Sequence, residues 1–598
     1  MKKTLPIGVQ DYAVFVKKNC YYVDKTPFIK PLLTSGTAVQ LITRPRRFGK
    51  TLFMDTLKSF LQIDKNHPGD ASCQQTLFSE TAVIEDKAFC TKYMGQFPVL
   101  FITLKGVEGD SFEMAYGVLA QKIVDLAEQY DYLGNSSRLS DAEKQYLNHF
   151  SSLDFMMNPE NRLIAQSFLR VMVTCLSKHF GQQVVLLIDE YDVPLAKAAE
   201  KGYYRRMVDF VRAFLGQVLK PDTLSGNAGA LPYLEKAVLT GCLRVGKESI
   251  FSDFNNPAVN TVCSIEPDFN EFFGFTSTEV KALLDYCGLT SYEEIVKRWY
   301  DGYRIGSSEV YCPWDVINFC SKALKAAEDK QVPYAPENFW KNSSANQVIT
   351  DFLAFLSGKE TERMQTLVDG GAIDITVNEK LNYNDLEAHD LEDFWTLLLS
   401  SGYLTIAERS SVVSTTLKVR IPNEEIRETF REKILVFFSK SNRRYRQHAV
   451  EMVETALKAD AAGVKRVLMQ LLINYVSVRD TATKASAENY YHAFLLGLLT
   501  GAEGIITNLA SNIESGDGYA DMIFTDAFEE TGVVIEVKRC GEKTEMADAA
   551  ERAMKQIGDK RYDTYLRRIG CSKVVGLGIA FSGKSCAVTA AELTTPKH

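Results

Sequence analysis

The sequence predicts an α/β protein in two modules, a larger N-terminal one built on a mostly parallel sheet and a smaller α/β unit towards the C-terminus. Three observations carry that expectation. Apolar strand-like runs at Val39–Thr43, 99–104, 184–188 and 237–240 alternate with helical stretches such as Phe112–Gln129 and 161–179, the pattern of parallel strands joined by helical crossovers. From about residue 486 the order changes to helix, two adjacent strands, helix, strand. The chain has 598 residues, 46 % hydrophobic and 24 % charged, enough for several compact units of ordinary globular composition.

That composition excludes a mostly disordered or fibrous chain. The longest apolar stretches, 184–188 and 493–499, fall far short of the roughly 20 residues of a membrane helix, so no membrane partner is expected. Pro6, Gly8, Gln10 and Asp11 interrupt any apolar core behind the basic start Lys2-Lys3, so no export signal is expected. The 12 cysteines include no C-x-x-C pair, which argues against a zinc site and fits free thiols in a reducing, cytoplasmic compartment. Net charge is −8, so any nucleic-acid binding needs local basic patches. Arg44/Arg46/Arg47, Arg205/Arg206, Arg443/Arg444/Arg446 and Lys560/Arg561 with Arg567/Arg568 are the candidates.

The first strand, Val39–Thr43, runs into a basic loop and then a helix expected over 51–61, with Leu52, Leu57 and Leu61 along one side. Strand, loop and helix in that order suit a phosphate loop, G-x-x-x-x-G-K-[ST], whose N–H groups cradle phosphates. Two stretches compete. Gly578-Ile-Ala-Phe-Ser-Gly583-Lys584-Ser585 matches in full, but Gly578 lies inside an apolar strand-like run, so it reads as a strand and turn. Arg44-Pro-Arg-Arg-Phe-Gly49-Lys50-Thr51 has Arg44 in place of the first glycine, yet sits between strand and helix. Arg46, Arg47, Phe48, Gly49, Lys50 and Thr51 are therefore the expected nucleotide-binding loop. Lys50 is expected to reach the β/γ-phosphates and to face solvent when the loop is empty, and Thr51 to bind Mg²⁺. The run 184–188 ends in Asp189-Glu190. Asp189 would hold Mg²⁺ through water, and Glu190 would orient or deprotonate the attacking water. Thr240 is placed as a γ-phosphate sensor, and Arg244 as an arginine finger in cis.

The second constellation is Gly516-Asp517-Gly518-Tyr519-Ala520-Asp521, followed by Glu536-Val-Lys538. Alternation sends Val533, Ile535 and Val537 to one face and Val534, Glu536 and Lys538 to the other. Charges on a buried strand are costly unless paired or used. Asp521 and Glu536 make a hard, all-oxygen Mg²⁺ site, with Lys538 stabilising phosphate charge or positioning water. Glu488 on the preceding helix and Gln556 on the following one complete the candidate catalytic set.

Tyr22-Val-Asp24-Lys25-Thr26, the octapeptide Arg44–Thr51, Leu187-Ile-Asp-Glu-Tyr-Asp192, Leu239-Thr-Gly241, Asn255-Asn256, Trp299-Tyr-Asp-Gly-Tyr303, Pro313-Trp314, Ser401-Gly-Tyr-Leu404 and Ile421-Pro-Asn423 resemble the AAA-ATPase-like proteins of bacteria and archaea. Tyr491-His492, Gly518-Tyr-Ala-Asp521 and Glu536-Val-Lys538 resemble the PD-(D/E)XK nucleases. The resemblance covers nearly the whole chain. It implies a P-loop ATPase core over 1–270, a lid and mainly helical, winged-helix-like region over 271–440, a helical connector over 441–485, and a restriction-endonuclease-like domain over 486–598. Within 271–440, strand pieces are expected near 310–312 and 415–421. ATP and Mg²⁺ are the implied cofactors, and nucleic acid the implied partner, DNA in the first instance. A homo-oligomer also suits such a protein. The implied function is ATP-regulated, Mg²⁺-dependent cleavage, with defence against foreign DNA as one setting. The alternative is a nucleotide-binding switch that cuts nothing.

Overall fold

A computed structural model describes residues 3–594 except 221–231, 245–256, 265–268, 329–333, 341–362, 365, 369, 379–380, 382–390, 410–414, 431–442, 476–486, 501, 503, 541–542 and 584. The chain divides into two compact units, Met1–Phe339 with Asp374–Glu425, and Trp340–Ile373 with Ile426–His598.

The first unit is organised by five parallel strands: β1 (Val39–Thr43), β2 (Val99–Thr103), β3 (Val184–Asp189), β4 (Leu234–Gly241) and β5 (Ala258–Asn260), in the order β2-β3-β4-β1-β5. Every residue of β1 and β3 is buried, as expected where helices cover both faces of a parallel sheet. The helix Phe112–Gln129 has the expected bounds. The single helix expected over 161–179 is two, Arg162–Gln166 and Phe168–Phe180. Ser167 separates them, its hydroxyl donating to Ile164 O at 2.7 Å, a local bond that competes with the helical ladder.

The region expected to be mainly helical contains Ser277–Cys287, Glu293–Tyr300, Pro313–Glu328 and Leu391–Ser401. It also carries a hairpin, β6 (Tyr303–Ile305) with β7 (Ser308–Val310). Strands β8 (Ala372–Thr376), β9 (Thr405–Arg409) and β10 (Thr416–Arg420) form a further sheet, ordered β8-β10-β9.

The second unit is a five-stranded sheet with helices. Strands β11 (Ile506–Ser515), β12 (Gly518–Asp526), β13 (Thr531–Arg539), β14 (Lys573–Ser582) and β15 (Ser585–Glu592) lie in sequence order. Only β13 and β14 run parallel, because the helix Met546–Asp559 crosses between them. Two of these strands, β11 and β15, were not expected. The β11 run is rich in Thr, Asn and Ser, and gives no clean alternation. Val533, Ile535 and Val537 pack with residues of the helices Arg443–Leu457, Ala461–Tyr475 and Ala487–Thr500, and Val534 packs on the opposite cluster with Ile557 and Tyr562. The alternation read from the sequence is the one observed.

The full phosphate-loop match resolves into packing. Gly578 lies in β14, and Gly583, at φ +58°, turns the chain into β15. A Cβ at Gly578 would stand 2.2 Å from Ala550 O on the covering helix. Lys584 is outside the described residues. Among the described residues no helix is long and apolar enough to cross a membrane.

Candidate ATP and nuclease sites

The order of the first sheet sets β4 between β1 and β3, so three strand ends converge at their carboxyl edge, where ligands of open α/β sheets bind. Asp189, fully buried, is the meeting point. Thr51 Oγ1 donates to Asp189 Oδ2 at 2.8 Å, and Thr240 Oγ1 donates to Asp189 Oδ1 at 2.6 Å. Glu190 follows at φ +53°, a strained conformation for a non-glycine residue and one that clusters at functional sites. Burial and then the Asp189 charge raise its pKa, against Lys50 and Lys105.

The helix Lys50–Leu61 starts at Gly49, φ +85°, with no side-chain cap, so its first N–H groups have no capping side chain. Lys50 is buried rather than solvent-facing, because its ammonium donates to the loop's own Arg44 O at 2.9 Å and Pro45 O at 2.7 Å. Those two carbonyls offset the cost of burying the ammonium.

Arg44 explains the absent glycine. Its backbone N–H donates to Gly241 O at 3.0 Å. Its guanidinium is fully buried and donates to Thr43 O at 2.8 Å, Asn260 O at 3.1 Å, Phe269 O at 2.9 Å and Asn260 Oδ1. Burial pulls its pKa down. The residue ties the loop's root to β5. The positive φ values of the loop fall instead at Arg47, +69°, and Gly49.

Arg47 lies with its guanidinium 5.3 Å from the centre of the Trp314 ring and donates to Phe339 O. Phe48 is buried edge-on to Tyr303 at 5.0 Å. Arg46 is partly buried, and with Arg47 favours the charged form of Tyr403, whose pKa burial raises. Arg244 is partly buried at the end of the described segment after β4. Asp192 was quoted only within a motif, yet it is buried and accepts the N–H groups of Cys242 and Leu243 at 3.0 and 2.9 Å. Its spacing behind Asp189 was the available signal. Asn255 and Asn256 are outside the described residues.

In the second unit Asp521 Oδ2 accepts the Val537 N–H at 2.7 Å, which fixes the carboxylate of β12 against β13. Glu536 is 2 % exposed. Lys538 Nζ donates to Glu536 Oε1 at 2.8 Å, while Oε2 is buried with no partner among the described residues. Burial first, and the Asp521 charge further down, raise Glu536 to about 7, with Lys538 opposing. Across the sheet Glu536 and Lys538 face the register of Gly578 and Ala580, both small. His492 Nε2 lies 2.9 Å from Asp521 O. Tyr491 is core, stacked on Phe581 at 4.3 Å.

Asp521, Glu536 and Lys538 are therefore brought together. Gln556 is on the covering helix and donates to the Tyr562 hydroxyl at 3.3 Å. Glu488 lies on the helix Ala487–Thr500, but its side chain is outside the described residues, as are those of Arg443, Arg444 and Arg446. Among the described residues no three His, Cys, Asp or Glu side chains cluster as a metal cage. The pair still suits a hard cation, because the donor set is all oxygen and Glu536 Oε2 is an orphaned buried acceptor. Two of the expected basic residues are engaged: Arg561 with Asp517 at 2.9 Å and Arg567 with Asp563 at 2.6 Å. Arg568 lies over the Tyr565 ring.

Comparison with known proteins matches this division. Residues 6–251 match the AAA-ATPase-like family, described as a predicted AAA-ATPase. Residues 486–591 match the PD-(D/E)XK nuclease superfamily. An uncharacterized protein encoded in the vnfD 5′ region of Azotobacter chroococcum mcd 1 is 25 % identical over 471 residues, 78 % of this chain and 76 % of that protein. The chain thus joins an AAA-ATPase-like domain at residues 6–251 to a PD-(D/E)XK nuclease superfamily domain at residues 486–591.

Proposed function

We propose that the protein binds and hydrolyses ATP in its first unit and cuts nucleic acid at a Mg²⁺-dependent site in its second, with the ATP state regulating cleavage. Defence against foreign DNA is the setting this pairing suits best.

One observation carries the nuclease half. Glu536 Oε2 is a buried acceptor with no donor among the described residues, next to Asp521 and Lys538. Asp521 and Glu536 would hold Mg²⁺, which when bound activates water and offsets phosphate charge. Lys538 favours the charged form of Glu536 and stands ready to donate to a phosphate oxygen or water. In the ATP site Thr51 and Asp189 would hold Mg²⁺, the N–H groups after Gly49 and Lys50 would take phosphate oxygens, and Glu190 would orient the attacking water. Its raised pKa suits a group that accepts a proton.

The second reading is a nucleotide-binding switch without turnover. Assays on single- and double-stranded DNA and RNA, with and without ATP and Mg²⁺, separate the two. Metal-dependent cleavage lost in Asp521→Ala supports the nuclease. Tight nucleotide binding with neither turnover nor cleavage supports the switch.

A further inference from the structure

The residues that follow β3 grip the turn that follows β4. Asp192 is buried, and its Oδ2 alone accepts the N–H groups of both Cys242 and Leu243, at 3.0 and 2.9 Å. The Tyr191 N–H donates to Thr240 O at 3.0 Å, and the Tyr191 hydroxyl donates to Leu243 O at 2.7 Å. Gly241 permits this approach: a Cβ there would stand 2.6 Å from Asp192 Oδ1 and 2.7 Å from the Tyr191 ring. The turn is thus fastened along its length. N–H bonds to a carboxylate are the stronger kind, and a buried carboxylate is costly unless such donors meet it.

The other edge of the same turn meets the loop Arg44–Thr51. Ile42 pairs with Thr240 and Thr43 with Gly241, which sets the turn level with the root of the loop. Gly241 O accepts the Arg44 N–H at 3.0 Å. Thr240 Oγ1 donates to Asp189 Oδ1 at 2.6 Å, and the partly buried Cys242 Sγ lies 3.9 Å from Lys50 Nζ. One short segment therefore touches both the carboxylate and the ammonium around which the metal and phosphates would gather. Asp192 acts on both through the turn it holds.

We infer that the Gly241–Leu243 turn is a third wall of the ATP phosphate site, beside the Arg44–Thr51 loop and the Asp189-Glu190 strand end, and that Asp192 is the positioning residue that holds it there. The Cys242 thiol then lines the site and is covered when phosphates bind. A turn free to drift would carry Thr240 from Asp189 and Cys242 from Lys50, and a misplacement of about 1 Å near a reacting centre costs about 10²-fold in rate. This rests on the ATP reading of Lys50, Thr51 and Asp189, and it adds a wall and the residue that supports it.

The test reads the wall apart from turnover. The full chain is treated with N-ethylmaleimide, with and without Mg²⁺ and a non-hydrolysable ATP analogue at saturation by calorimetry. Peptide mass spectrometry follows Cys242 against the exposed Cys73. Bound analogue should slow alkylation of Cys242 roughly tenfold or more and leave Cys73 unchanged, because thiol reactivity follows exposure. In Asp192→Ala, which strands both N–H groups, protection should shrink to less than about twofold and ATP turnover should fall roughly 10²-fold. Asp192→Asn keeps an oxygen for the two N–H groups, so both readouts should stay within about threefold of the wild type. Equal alkylation of wild-type Cys242 with and without bound analogue, Asp192→Asn behaving as Asp192→Ala is expected to, or full protection and turnover in Asp192→Ala would each overturn the inference. If Asp192→Ala does not fold, wild-type protection and the Asp192→Asn chain decide it. A wild-type chain that binds no analogue would remove the ATP reading itself, and the wall with it. Binding without turnover would remove hydrolysis only, and the alkylation readout would still decide.

Discussion

Lys538 Nζ lies 2.8 Å from Glu536 Oε1, while the other oxygen of the same carboxylate is buried with no partner among the described residues. Lys538 favours the charged carboxylate through one oxygen, against a burial that disfavours it, and the second oxygen is left for a cation. Burial dominates the pH behaviour of the metal-free site.

Glu536 is raised from 4.5 to about 7, chiefly by burial. Between those values the folded, metal-free protein holds a proton that the unfolded chain releases, so stability falls as pH rises through that window. It is fully present below about 4.5 and lost above about 7. Glu536→Gln is neutral at every pH and should flatten the slope. Urea unfolding in EDTA from pH 4.5 to 8 reads this, and identical slopes in both proteins would refute it.

Lys50→Ala should weaken ATP binding at least tenfold, about 1.4 kcal/mol. Serine substitution at Lys584 should leave ATP affinity unchanged. Calorimetric titration checks both, and a large loss in the Lys584→Ser chain would place the phosphates at the Gly583 turn instead.

Glu190→Gln should bind ATP as the wild type does, but turn it over about 10²–10⁴-fold more slowly, the usual range for loss of a positioned base. Equal turnover would remove Glu190 from the chemistry.

Arg44→Gly restores the glycine of the phosphate-loop pattern, and should nevertheless harm the protein. It strands the buried acceptors Thr43 O, Phe269 O and the Asn260 side chain, at about 1–3 kcal/mol for each acceptor left unsatisfied. The melting temperature of the first unit should drop by several degrees. An unchanged melting temperature would mean that Arg44 is not an anchor.

ATP analogue and nucleic acid should alter each other's affinity by one shared factor, because coupling of two binding equilibria is reciprocal. Two titrations measure it, and no change in either direction would leave two independent sites on one chain.

What could be read from the chain depended on how local the cause was. The bounds of Val39–Thr43 and Phe112–Gln129 follow from continuous apolar runs and 3.6-residue periodicity. The break at Ser167 comes from one side-chain hydrogen bond, and β11 is a polar edge strand, so neither leaves a pattern. Asp521, Glu536 and Lys538 were legible because charge on a buried strand is conspicuous. The anchoring role of Arg44 was not, since its acceptors at Asn260 and Phe269 lie more than two hundred residues away. Lys50 was expected in solvent, but its ammonium donates to two carbonyls of its own loop.

The close seat of Gly578 beneath Ala550 has a consequence for how this sequence can drift. Any larger residue at 578 must lift the helix Met546–Asp559 off the sheet, and Gly583 is held by its positive φ. Selection for a well-packed sheet will therefore preserve both glycines of a nucleotide-binding signature in descendants that never bind a nucleotide there. Position 44, where the loop proposed to hold phosphate carries arginine in place of glycine, is held by an equally strict but opposite demand. Among distant relatives, pattern matching would then rank the two loops in the reverse of the proposed order.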